Sequence, residues 1–193
     1  YHYNVDGLDF IMLNPPFQMD ENVYYYDLEA LQWVANKMAD IGDDQTVFLV
    51  GHYPLQDGKD GGADTDAETH RVLKEEILNN YPKAIYVYGH YHTQVVYSDT
   101  YERLNTYMSD GSLCLDRDTV TDGFITVSGG SMAYYGDAVT PSGGLGAATP
   151  NVVQALLVYV YADRIVFQMK NYGTENFGVE EIRPYVVYRD VAA

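Results

Sequence analysis

Three histidines, His52, His90 and His92, have the residue type and spacing that could carry chemistry in this chain. His52 and His90 each follow a glycine (Gly51 and Gly89), and His92 lies two positions beyond His90. Imidazole nitrogen suits zinc, iron and nickel, with zinc–nitrogen bonds of about 2.0–2.1 Å. In an extended segment, residues two apart point broadly the same way, so His90 and His92 can serve adjacent metals. A glycine before each histidine permits a tight exit from a strand and leaves room for a close-packed site. Taken singly, each histidine reads as a capping or core residue. The joint pattern of one Gly-His corner followed by Gly-His-x-His points to metal ligation.

Such a cluster requires two elements that deliver both Gly-His corners to one place. Thr46–Val50 and Ala84–Tyr88 are short, continuously apolar runs, the pattern of strands covered on both faces. Between them, Thr65 and Glu68 have capping-box spacing and predict a helix to about Asn80, apolar at Val72, Leu73 and Ile77 and closed by Pro82. Strand, loop, helix and strand make a βαβ unit with parallel strands. Both corners then sit at carboxyl ends of neighbouring strands, where open α/β sheets bind ligands. Gln56–Asp64, rich in Gly and Asp, reads as a surface loop. Its acidic positions fail the spacing of a calcium loop, with Lys59 where a ligand should be.

Upstream, Tyr1–Val5 and Leu8–Leu13 flank Asp6–Gly7, a turn pair that supports two-residue hairpins. Roughly Asn22 to Ala39 reads as a helix burying Leu28, Leu31, Ala35 and Met38, with Gly42 beyond it. Downstream the pattern turns to β, with strands expected at Phe124–Ser128, Val152–Tyr161, Arg164–Lys170 and Pro184–Arg189. Ile165, Phe167 and Met169 alternate with Arg164, Gln168 and Lys170, as in a sheet with one wet face. Thr140–Asn151 reads as a flexible connection. Ser131, preceded by two glycines, has part of a nucleophile elbow, but that arrangement needs a later histidine and none follows His92.

With 193 residues, 47% apolar and 20% charged, the chain reads as one globular portion. Its formal charge of −17 would repel a phosphate backbone and argues against nucleic-acid binding. A bound cation can still dominate the field inside one pocket. The single cysteine, Cys114, cannot form an internal disulfide. No apolar run approaches the roughly 20 residues of a membrane span. His70 reads as solvated surface and His2 as a strand residue.

The segments VFLVGHYPL (Val47–Leu55) and IYVYGHYHT (Ile85–Thr93) resemble the last two metal-binding motifs of the calcineurin-like metallophosphoesterases, and the G-H-Y-P form is close to that of purple acid phosphatases. The opening YHYNVDGLDFIMLN resembles the hairpin that follows the third metal motif in such enzymes. The resemblance implies a mixed α/β fold, part of a two-sheet β-sandwich flanked by helices. It implies that His52 and His90 bind one metal and His92 a second, the two ions being iron, zinc or manganese. It further implies hydrolysis of a small phosphate ester by a metal-bound hydroxide attacking phosphorus. Tyr53 and Tyr91, inside the two motifs, are candidate substrate contacts.

The family's earlier motifs, D-x-H, G-D-x-x-D and G-N-H-D/E, do not occur in the sequence. They would supply the bridging aspartate, an asparagine ligand and the histidine that protonates the leaving group, so no catalytic residue is identifiable here. The chain is therefore expected to be a C-terminal portion of a metallophosphoesterase domain, inactive by itself, that self-associates through exposed sheet surfaces. The alternative is a non-catalytic structural or binding module built on the same fold. The motif style favours the cell surface or exterior.

Overall fold

The computed structural model describes residues 1–14, 23–24, 26–52, 55, 64–65, 71–89, 104–107, 113–114, 124–129, 134–135, 149–150, 154–171 and 185–188. It is mixed α/β. In chain order the strands are β1 (His2–Val5), β2 (Leu8–Met12), β3 (Val23–Tyr24), β4 (Val47–Val50), β5 (Asp64–Thr65), β6 (Ala84–Tyr88) and β7 (Leu104–Tyr107). They continue with β8 (Leu113–Cys114), β9 (Ile125–Ser128), β10 (Tyr134–Tyr135), β11 (Thr149–Pro150), β12 (Gln154–Val160), β13 (Arg164–Asn171) and β14 (Tyr185–Tyr188). The main sheet runs β1-β2-β4-β6-β9-β7-β8. Its centre, β2, β4, β6 and β9, is parallel, and its margins are antiparallel.

The N-terminal hairpin forms as its turn pair dictates. Asp6 and Gly7 take φ of 51° and 82°, the left-handed values that a two-residue turn matched to strand twist demands. Helix α1 spans Leu28–Ile41, shorter at its start than the sequence pattern suggests. Asp27 caps it by accepting from the Glu29 amide at 2.9 Å. Val23–Tyr24 instead forms a parallel bridge to Asp64–Thr65. That bridge takes Asp64 out of the expected loop, and the helix start expected after Thr65 lies outside the described residues. Leu28 is exposed as the first helical residue, and Val34 joins Leu31 and Met38 in the buried face.

The second helix, described from Arg71, runs through a π-helical turn, Val72–Ile77, and tightens into a 3₁₀ turn, Leu78–Asn80. The Leu78 amide is shared between the carbonyls of Leu73 and Lys74. Bonding over five residues aligns positions four and five apart, so Leu73, Ile77 and Leu78 are buried together. Downstream, the four predicted strands form within two residues of the expected bounds. Thr149–Pro150 pairs with Tyr134–Tyr135, so the end of the expected connection is a strand.

The period of two along each strand splits the core between the two faces of the main sheet. One face carries Ile11, Leu13, Val47, Leu49, Ala84, Tyr86 and Tyr88 against Leu31, Val34 and Met38 of α1 and the buried leucines of the second helix. The other carries Phe48, Ile85, Ile125 and Val127 against Ile165 and Phe167 of the β12-β13-β14 sheet. Phe10 and Phe48 stack across neighbouring strands on that second face, with ring centroids 5.0 Å apart. Helices, main sheet and small sheet are thus successive layers. Among the described residues no helix is long and apolar enough to cross a membrane.

Candidate metal centre

The carboxyl ends of the four parallel strands are tied in one row of backbone hydrogen bonds. Leu13 N–H donates to Val50 C=O at 2.8 Å, and Gly51 N–H to Val87 C=O at 2.9 Å. Gly89 N–H donates to His52 C=O at 3.1 Å, and Gly129 N–H to Tyr88 C=O at 2.8 Å. Adjacent parallel pairing of β4 with β6 therefore brings the first Gly-His corner against the residue that precedes His90. Gly89, the described residue of the second corner, therefore lies beside the backbone of the first.

His52 occupies a bend just beyond β4 and is exposed, on a backbone held by the sheet. An imidazole so placed can ligate a metal or carry a proton. His90, His92, Tyr53 and Tyr91 lie outside the described residues, as do His70 and Ser131. Among the described residues no group of three His, Cys, Asp or Glu side chains is gathered in a way that could hold a metal ion. His2 is engaged elsewhere, its Nε2 2.7 Å from Asp9 Oδ1, an oxygen that also accepts from Asn4 Nδ2 at 3.1 Å. It is a strand residue with a carboxylate partner.

The two glycines differ in what they do. Neither has a left-handed φ, so conformational freedom is not the reason for either. At Gly51 the reason is space: a β-carbon would lie 2.6 Å from the Tyr26 hydroxyl, 2.8 Å from Tyr86 Cζ and closer still to the Tyr86 hydroxyl. At Gly89 the nearest atom to a β-carbon is the His52 carbonyl oxygen at 4.0 Å, so a small side chain would fit among the described neighbours.

Beneath Gly51, the Tyr26 and Tyr86 hydroxyls are hydrogen-bonded at 2.8 Å, and both residues are fully buried. Tyr86 also stacks with Tyr88, ring centroids 6.3 Å apart. Burial above all, and then the neighbouring Tyr26 and Tyr88, push the Tyr86 phenol well above the usual tyrosine value, so it stays neutral. Sequence reading missed this pair. Its signal was Tyr86 and Tyr88 at strand period within an otherwise aliphatic run, and a tyrosine directly before the Asp27 cap.

Of the three histidines, His52 alone is among the described residues. No protein-family model matches this chain, and no curated protein matches it.

Proposed function

We propose that this chain carries the histidine half of a dinuclear-metal phosphoric ester hydrolase of the calcineurin-like superfamily, closest in style to purple acid phosphatases. The observation that supports it is the hydrogen bond from Gly89 to the His52 carbonyl, which links the two Gly-His corners at the carboxyl ends of adjacent parallel strands. In this reading His52 and His90 hold one metal and His92 the other, and Tyr53 and Tyr91 flank the ester. Bound iron, zinc or manganese would activate water and neutralise charge on the phosphate oxygens. The chain's own part is to hold the imidazoles on rigid strand ends and to offer them outward. The layering of helices, main sheet and small sheet supports a sandwich of the metallophosphatase kind. Function at the cell surface or exterior, and association through the exposed sheet edge, belong to the same proposal.

The test is metal content and phosphatase activity of this chain and of a polypeptide extended through the upstream coding sequence. We expect about two metals per chain and turnover only in the extended protein. Absence of metal and turnover from both would overturn the enzyme reading and leave a binding module.

A further inference from the structure

We propose that the Tyr26–Tyr86 hydroxyl pair is a buried brace for the Gly51–His52 corner and that Tyr86 is thereby a positioning residue for His52 as a metal ligand, an inference that rests on the metal reading above. The pair joins three elements. Tyr26 precedes the capped start of α1, Tyr86 is the middle residue of β6, and Gly51 is the exit of β4. Asp27 anchors the first, and strand pairing on both sides anchors the second. One hydroxyl donates to the other and holds the oxygens 2.8 Å apart directly under Gly51. The corner is then located twice, in the sheet plane by the bonds Gly51 to Val87 and Gly89 to His52, and perpendicular to it by the hydroxyls. Metal ligation needs donor atoms held to within about 0.5 Å, and a backbone fixed in both directions supplies that.

The test compares wild type with Tyr86→Phe, Tyr26→Phe and His52→Ala, the Tyr26 variant breaking the same bond from the other side should the first fail to fold. The first readout is amide hydrogen exchange in the metal-free chain. We expect the Gly89 amide, bonded to His52, to exchange about tenfold faster in both tyrosine variants, with the Gly129 amide within about twofold of wild type. General destabilisation would move both amides alike. The second readout is titration of the same variants in the extended polypeptide with zinc alone, where affinity should fall about tenfold in the tyrosine variants, the effect of losing an outer support of a ligand. Wild-type exchange at Gly89, acceleration equal to that at Gly129, or wild-type zinc affinity in the tyrosine variants while His52→Ala loses zinc would overturn the brace alone. Zinc binding unchanged in His52→Ala would overturn the metal reading, and the positioning role with it.

Discussion

Gly51 lies directly over the Tyr86 hydroxyl, so close that a β-carbon at position 51 would collide with it. The contact joins the exit of one parallel strand to the centre of the next. It explains a glycine that the motif requires but that its backbone angles do not.

We predict that Gly51→Ala destabilises the fold by about 1–3 kcal/mol, the cost of forcing a methyl into a filled site. Tyr86→Phe in the same chain removes the nearest colliding atom, so the double variant should lose less than the sum of the two by at least about 0.5 kcal/mol. Urea unfolding of the four proteins measures this. Strict additivity would show that the clash is relieved elsewhere.

The buried Tyr86 phenol gives a pH signature. Its folded pKa is raised, so between the unfolded value near 10 and the higher folded value the native state binds more protons than the unfolded state. Stability is therefore fully present below about pH 10 and falls as pH rises above it. Urea midpoints from pH 8 to pH 11 should decline more steeply for wild type than for Tyr86→Phe. Equal slopes would contradict the burial of an ionisable phenol at this position.

Phe167 is fully buried between the two sheets, with Phe48, Ile85 and Val127 in the same cluster. Phe167→Ala should cost about 3–5 kcal/mol by chemical denaturation. A loss under about 1 kcal/mol would mean that the small sheet does not pack on the main one.

Asp27 should matter through its side-chain oxygen alone. We expect Asp27→Ala to cost about 1 kcal/mol and Asp27→Asn far less, since asparagine caps equally well. Thermal unfolding of both variants checks this, and equal losses would assign the effect to charge.

Among the described residues β1 is one margin of the main sheet, and Tyr1, Tyr3 and Val5 at it are 80%, 57% and 55% exposed. An edge strand that exposes apolar side chains is a template for association. We predict concentration-dependent self-association in sedimentation, reduced by Tyr3→Lys. A monodisperse monomer at high concentration would refute it.

Much of the frame was legible because burial leaves a periodic trace. Val47–Val50 and Ala84–Tyr88 are apolar throughout because both faces are covered, and their parallel pairing follows from the helix between them. The Asp6–Gly7 turn needed only local φ preference. The start of α1 was misread for a related reason. The sequence ahead of Leu28 suits a helix, but Val23–Tyr24 pairs with Asp64–Thr65, and a contact 41 residues apart in sequence leaves no periodic mark.

At the site, the sequence by itself determined the residue types, and strand order and spacing bring Gly51–His52 beside Gly89. Only the tertiary structure decided why position 51 is glycine and what lies beneath it. That answer joins Tyr26, Gly51 and Tyr86, residues from three elements, through a buried hydroxyl pair. Steric exclusion and hydrogen-bond distance act between atoms in space, so no one-dimensional pattern carries them until the chain has folded.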